Sequence, residues 1–366
     1  MDYSKSDKSF MRKAIRLGAK GQGSVFPNPP VGAVIVKDGA VIGSGWHRAW
    51  GEKHAEILAI ESALSKGHDI RGAKMFVSLE PCCHHGKTPP CTTAIIEHGF
   101  SEVYISCTDD CDSRVCGNGI GILRDAGIAV RTGLLEVEGR ELIEHYSIQR
   151  RENRAFLSLK WASSLDGRIA SATGDSQWIS GDRARKFAHE LRSRHSAVAV
   201  GFNTLMNDDP KLNVRTVKTH HQPVRVVFAG GNIIPEGMKI FDGGGKVILV
   251  NPSPRQPKIE ALPQLVKIDI PKDVPFWKTL LTELPKHGIG SLMVEGGGEI
   301  ITSALSEGAA DRIYCVIAPI IIGKGISAVN DLEIEKVSDA VSLENIRYAK
   351  FGGDVMITGR VQKKRL

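Results

Sequence analysis

The sequence predicts an α/β protein organised as two consecutive α/β domains. Its 366 residues exceed what one ordinary hydrophobic core supports. Short apolar runs rich in Val and Ile alternate with segments of helical periodicity along nearly the whole chain. That alternation stops at the charged stretch Gln149-Arg150-Arg151-Glu152-Asn153-Arg154 and then begins afresh, so the expected domains are residues 1–150 and 151–366.

In the first domain a helix is expected over Ser9 to Lys20, and a strand over Val31 to Val36. Asp38-Gly39 is a hairpin turn into the next strand, Val41 to Gly45. Ala55 to Lys66 carries apolar residues at helical spacing, which sets His54 and Glu56 at a helix start. Met75 to Leu79 is a strand that delivers Pro81-Cys82, Thr92 to His98 a helix, and Val103 to Ser106 and Ile128 to Val130 further strands. Two ligand-bearing helix starts should therefore face each other. In the second domain the runs Phe156 to Lys160, Ala197 to Val200, Val224 to Phe228, Lys246 to Val250, Ser291 to Val294 and Ile313 to Ile317 read as mostly buried strands. Asp182 to Arg194 and Glu299 to Glu307 read as helices, and Gly243-Gly244-Gly245 as a turn.

Hydrophobic content of 42% and charged content of 24% are those of a globular protein and exclude disordered and fibrous classes. The longest apolar run, Ile313 to Ile322, is broken by Pro319 and is too short to span a bilayer. The mixed-charge start lacks the apolar stretch of a secretory signal, so a cytoplasmic protein with no membrane partner is expected. The net charge of +7 is spread along the chain, clustered only at Arg150-Arg151 and Lys363-Lys364-Arg365, which reads as solvated surface rather than a nucleic-acid groove; phosphorylated metabolites would satisfy the same positive bias.

The chemistry is concentrated in His54-Ala55-Glu56, Pro81-Cys82 and Cys91. One imidazole and two thiolates hold a tetrahedral zinc ion while leaving the fourth position open, the pattern of a catalytic site. Glu56, two residues beyond the histidine, is close enough to handle protons there without being a ligand, as in the H-x-E…P-C signature of zinc deaminases. Most such signatures close with C-x-x-C, whereas Cys91 lies nine positions after Cys82, so the intervening residues must loop out. One zinc ion per chain is expected.

These residues, with Asn28-Pro29-Pro30-Val31-Gly32, Glu80-Pro81-Cys82, the loop His84-His85-Gly86-Lys87-Thr88-Pro89-Pro90-Cys91, Ser164-Leu165-Asp166-Gly167-Arg168 and Gln177-Trp178-Ile179, resemble the bifunctional riboflavin biosynthesis deaminase-reductase family over nearly the whole chain. The long loop between the cysteines is part of that resemblance. It implies an N-terminal, three-layer domain of cytidine-deaminase type and a C-terminal domain similar to dihydrofolate reductase. It implies deamination of a diaminopyrimidine carrying a phosphoribosylamino group, with Glu56 catalytic, His54, Cys82 and Cys91 on the metal, and Asn28, His47, His84 and Lys87 on the substrate, Lys87 at its phosphate.

The second implied reaction reduces the ribosyl group to ribityl with NADPH. Lys160 to Ala170 resembles the segment lining cofactor and substrate. Ala162, Trp178, Thr204, Asp208, Gly297, Gly298 and Glu299 fall on cofactor positions, and Ser176, Arg192, Leu212, Arg215 and Glu295 on substrate positions. The two arginines are natural phosphate clamps, because a guanidinium fork binds oxyanions bidentately. The glycine turn Gly296-Gly297-Gly298 joins a strand to a helix, whose first amides suit a cofactor phosphate. No single residue in this half stands out as a proton donor.

The sequence departs from the family at Cys83, read as a bystander, and at Cys107, Cys111 and Cys116, a loose cluster whose spacing matches no strong metal motif. Two rival classes are a nucleic-acid deaminase, opposed by the Lys87 loop and by the fused second α/β domain, and a non-enzymatic or half-active regulator that kept the fold and lost one site, opposed in the first domain by the intact ligands and Glu56. A homo-oligomer, dimer or tetramer, is expected.

Overall fold

In the computed structural model, which describes residues 3–86, 89–256 and 264–362, the chain divides after Asn153 into two units, 1–153 and 154–366. The first opens with α1 (Lys5–Gly18), earlier than the periodicity suggests. The cause is a capping box, in which Ser4 Oγ accepts from the Asp7 N–H at 3.1 Å and the Asp7 carboxylate accepts from the Ser4 N–H at 3.1 Å. There follow β1 (Gly32–Lys37), β2 (Ala40–Trp46), α2 (Ala55–Leu64), β3 (Lys74–Leu79), α3 (Cys91–Glu97), β4 (Glu102–Cys107), α4 (Asn118–Asp125), β5 (Ala129–Thr132), α5 (Glu136–Leu142) and α6 (Glu144–Glu152). The β1–β2 hairpin turns at Asp38 and Gly39, both at positive φ (51° and 76°), as the sequence predicts.

These strands form one sheet in the order β2-β1-β3-β4-β5, antiparallel through β1 and parallel from β3 to β5. Side chains alternate across it. Ala33, Ile35, Met75, Val77, Val103 and Ile105 pack with α2, α3 and α4 on one face. Val34, Val36, Phe76 and Tyr104 meet Met11 and Ala14 of α1 on the other, giving three layers. The sequence reading lacks α4, α5 and α6. The first begins Asn-Gly-Ile-Gly, two glycines that weaken any helical signal, and α5 has only seven residues.

The second unit contains β6 (Phe156–Ser163), β7 (Arg168–Ser171), α7 (Asp182–Ser193), β8 (Ala197–Gly201), α8 (Phe202–Asp208), β9 (Val224–Phe228), β10 (Val247–Val250), β11 (Leu265–Ile268), α9 (Phe276–Glu283), β12 (Ser291–Glu295), α10 (Gly298–Ser306), β13 (Arg312–Ile317), β14 (Gly325–Ser327), β15 (Leu343–Phe351) and β16 (Asp354–Val361). Nine strands form one sheet in the order β11-β10-β9-β8-β12-β6-β13-β16-β15, parallel except at β16 and β15. One face packs Leu157, Leu159, Val226, Ile248 and Leu292 on α9 and α10. The other packs Val198, Val200, Val227, Leu249 and Met293 on α7 and α8. Burial on both faces is why the central strands read as unbroken apolar runs. The edge strand β15 is largely exposed and carries Glu344, Arg347 and Lys350, so it gives no such signal.

Among the described residues no helix is long and apolar enough to cross a membrane. The Gly243–Gly245 turn is held by Arg225, whose guanidinium donates to the carbonyls of Ile240, Asp242, Gly244 and Gly245. His195, just beyond α7, is fully enclosed. Its Nδ1 lies 2.7 Å from the Leu191 carbonyl, which can only accept, so Nδ1 donates and Nε2 accepts from the Ser158 hydroxyl at 2.8 Å.

Burial brings the His195 pKa down to about 4 from an unfolded value near 6.5. The unfolded chain therefore binds the extra proton first, and stability present above about pH 6.5 falls as the pH drops toward 4, by up to roughly 3 kcal/mol. Denaturant midpoints followed by the fluorescence of buried Trp277 should fall over that interval. The fall should be shallower in His195→Gln, and an identical slope in the variant overturns the assignment.

Candidate active sites

The first site forms where β3 ends and α2 and α3 begin. His54 is the N-cap of α2, in extended conformation, and makes no capping hydrogen bond; its ring is turned to the thiols instead. Cys91 is the first residue of α3. The loop from Cys82 returns so that the Cys91 N–H lies 3.4 Å from Cys82 Sγ, and the Thr92 N–H donates to the Cys82 carbonyl at 3.2 Å. The two expected helix starts do face each other.

His54 Nδ1 lies 3.3 Å from Cys91 Sγ and 3.4 Å from Cys82 Sγ. Tetrahedral zinc with Zn–N about 2.0 Å and Zn–S about 2.3 Å requires N···S edges of about 3.5 Å, so the donor set fits that ion. Among the described residues this is the one set of three His, Cys, Asp or Glu groups with all ligand atoms within 4.8 Å of one another. Cys107, Cys111 and Cys116 do not belong to such a set. The Cys107 thiol is buried and pushed up to about 12, and Cys83 turns away to donate to the Arg114 carbonyl at 3.2 Å.

Glu56, in the first turn of α2, is 4% exposed. Burial pushes its carboxyl up to about 7, the Cys82 charge adds to the rise, and His54 opposes it. Among the described residues no lysine or arginine is paired with it, and its interacting neighbours are the ligand side chains His54, Cys82 and Cys91. Asn28 and His47 form the adjoining wall. His47 Nδ1 donates to the Lys53 carbonyl at 3.1 Å, so Nε2 accepts from the Asn28 amide at 3.1 Å and the Asn28 carbonyl is left for a ligand. Burial lowers the His47 pKa, which keeps the ring neutral. His84 Nδ1 is buried without a hydrogen-bond partner among the described residues. Lys87 lies outside the described residues.

Glu80 is a residue the motif contained without a role. Its buried carboxylate accepts from the Gly117 and Ile120 N–H groups at 3.1 and 3.2 Å, capping α4 from outside. A Cβ on Gly119 would lie 2.3 Å from the Pro81 carbonyl, so α4 rests directly against the segment that carries Cys82.

The second site is a cleft of about 1430 Å³ along the C-terminal ends of β12, β8, β9 and β10. Its walls include Ala162, Trp178, Thr204, Asp208, Gly297, Gly298 and Glu299, and also Ser176, Arg192, Leu212, Arg215 and Glu295. The structure thus brings these twelve residues into one cleft, together with Lys160, Ile169 and Ala170 of the segment Lys160 to Ala170, whose middle part, Ser163 to Arg168, lies outside it. In the glycine turn, Gly296 and Gly297 have φ of 66° and 80°, and a Cβ on Gly298 would meet the Ser327 carbonyl at 2.4 Å. Each glycine has its own steric reason. Trp178 is 67% exposed at the cleft, with the Arg185 guanidinium 4.5 Å from its ring centre.

Arg192 is paired within the cleft: Nε and Nη2 donate to the two oxygens of Glu295 at 2.6 and 2.8 Å and Nη1 donates to the Asn213 carbonyl at 3.1 Å. Burial alone would raise the Glu295 carboxyl, but Arg192 overrides it and holds the group at about 2. Beside this pair lies Lys160, whose pKa burial lowers while Glu295 opposes the fall. A lysine within the otherwise apolar strand Phe156–Ser163 was the available sequence signal for this buried basic group.

Residues 155–357 match the family model of the RibD C-terminal domain, and residues 4–107 that of the cytidine and deoxycytidylate deaminase zinc-binding region. The riboflavin biosynthesis protein RibD of Aquifex aeolicus is 40% identical over 352 residues, covering 96% of this chain and 97% of that protein. Its Escherichia coli counterpart is 33% identical, covering 96% and 98%. The solved Thermotoga maritima diaminohydroxyphosphoribosylaminopyrimidine deaminase/5-amino-6-(5-phosphoribosylamino)uracil reductase superposes with a TM-score of 0.81 at 36% identity, over 98% of this chain and 99% of that one. With a cytidine-deaminase-like unit carrying a zinc-type donor set and a reductase unit carrying a cofactor-sized cleft, the chain belongs to the RibD family of bifunctional deaminase-reductases of riboflavin biosynthesis.

Proposed function

We propose that the first unit hydrolytically deaminates 2,5-diamino-6-(5-phosphoribosylamino)pyrimidin-4(3H)-one, and that the second reduces the ribosyl group of 5-amino-6-(5-phosphoribosylamino)uracil to ribityl with NADPH. The observation that carries the first half is the convergence of His54, Cys82 and Cys91 as metal donors with the buried Glu56 carboxyl beside them. When held by His54, Cys82 and Cys91, zinc supplies the Lewis acidity that brings the pKa of water near neutrality. Glu56 accepts a proton on its carboxylate and returns it to the amino group that leaves as ammonia; a carboxyl near pH 7 can do both. Asn28 and His47 orient the pyrimidine, Asn28 through its unspent carbonyl, and His84 offers an unpartnered ring nitrogen. Lys87 is assigned to the phosphate.

In the second unit the cleft exceeds the roughly 300–1,000 Å³ of a single-ligand site, as a dinucleotide beside a phosphorylated substrate requires. Gly296, Gly297 and Gly298 let the backbone approach the cofactor phosphates at the start of α10. Hydride delivered to C1′ opens the ribose ring, and the ring oxygen then takes a proton. We assign that proton to Lys160, with Glu295 as the fixed countercharge beside it. Both substrates are water-soluble metabolites, in keeping with the expected cytoplasmic setting.

Ammonia release by Glu56→Gln should fall by about 10²- to 10⁴-fold with zinc content unchanged; release at the wild-type rate refutes the deaminase mechanism. Cys91→Ala should bind less than one zinc per chain by metal analysis, and full stoichiometry would remove Cys91 from the ligand set. Glu80→Ala frees the α4 amides behind Cys82 and should weaken zinc retention against a chelator by about tenfold or more while substrate-dependent NADPH oxidation persists. Unaltered chelator resistance would contradict that support role. NADH serving the reductase as well as NADPH would overturn the cofactor assignment.

A further inference from the structure

The wall of the reductase cleft between α8 and β9 is strained where it meets the substrate end. Leu212 has φ of 47° and Asp209 φ of 39°, the left-handed region that a bulky residue such as Leu occupies only when its surroundings compel it. Two anchors do so. Leu212 is 1% exposed and packs into the core with Leu191, Val198 and Leu205. Val214 is clasped by the Gln222 amide, its N–H donating to Oε1 at 2.7 Å and its carbonyl accepting from Nε2 at 2.9 Å.

Between these anchors sits Asn213, which faces two guanidiniums. Its backbone carbonyl accepts from Arg192 Nη1 at 3.1 Å, and its side-chain Oδ1 accepts from Arg215 Nη1 at 3.2 Å. The two arginines differ in charge balance. Arg192 is offset by the bidentate Glu295, whereas no carboxylate among the described residues lies within 4.0 Å of the Arg215 guanidinium. Arg215 therefore brings a full positive charge to the cleft. Burial first, and then the Arg192 and Arg215 charges, bring neighbouring His189 down to about 4, as a positive field there requires.

We propose that Asn213 is a positioning residue for the anion end of the reductase site: it orients Arg215 through a neutral acceptor, leaving the guanidinium charge for the phosphate of the sugar-phosphate substrate. This rests on the reductase reading above. An aspartate at the same place would orient Arg215 equally well but would neutralise it, as Glu295 does Arg192. An alanine would leave a long exposed side chain without its tether, at an entropic cost on binding.

The test compares steady-state reduction of the phosphoribosyl substrate with that of its phosphate-free ribosyl analogue, in the full-length enzyme with NADPH. Asn213→Asp should raise KM for the phosphorylated substrate by about tenfold or more, with kcat within about twofold and KM for the analogue unchanged. Asn213→Ala should raise the same KM by a smaller factor, and serves as the second variant if the aspartate impairs folding. Ammonia release and the thermal midpoint should remain as in the wild type. An unchanged KM in both variants, or an equal rise for both substrates, overturns the proposal. A wild-type enzyme that turns over the two substrates with equal KM refutes instead the assignment of phosphate to this end, and an enzyme that reduces neither refutes the reductase reading itself.

Discussion

Covering each sheet on both faces is the constraint on which the rest of this protein depends. Strands such as β8 and β12 are enclosed by helices above and below, so a charged or metal-binding group placed along them would be stranded without water. Polar chemistry is thereby gathered at the strand ends and the helix starts beside them, with Lys160 inside β6 the exception, level with Glu295 at the end of β12. Cys82 follows the end of β3, His54 and Cys91 stand at the first residues of α2 and α3, and the cleft of the second unit opens at the ends of β8, β9, β10 and β12. In both units backbone amides that a helix leaves unpaired lie next to the reacting groups.

Two buried glutamates show how placement alone divides roles. Glu56 has burial and a nearby thiolate against its charge and, among the described residues, no lysine or arginine paired to its carboxylate, so its pKa is raised. Glu295 is just as enclosed, yet a bidentate arginine keeps it charged at about 2. Burial alone raises a carboxyl, and a bidentate guanidinium is what reverses that for Glu295. The same logic separates Arg192, whose charge is spent within the fold, from Arg215, whose charge is not.

Much of this was legible in the sequence where a local pattern and a buried position coincide. Runs such as Val247–Val250 announced enclosed strands, and His54, Cys82 and Cys91 announced the donor set with Glu56 beside it, because chemistry restricts those residue types more tightly than packing does. What was not legible depends on partners distant in the chain. That Arg192 is occupied rather than open depends on Glu295, 103 positions away. That Glu80 supports Cys82 depends on amides at Gly117 and Ile120. Helices α4 to α6 were hidden because two glycines and short lengths leave little periodicity, and they persist because the sheet face below needs covering.

The gap of nine positions between the thiols has a physical reading in these terms. Closing a loop of about nine residues rather than three costs only about 1 kcal/mol more in chain entropy, little against the energy of three zinc–ligand bonds. Spacing is therefore weakly constrained, whereas the anchor points are strongly so. Cys82 is fixed by α3 amides on one side and by the Glu80–α4 contact on the other, and Cys91 by its place at the first turn of α3. With both ends secured, the residues between them can vary in number without moving the thiols. The loop can then carry side chains such as His84, with its unpartnered buried nitrogen, to the same end of the sheet as the metal donors.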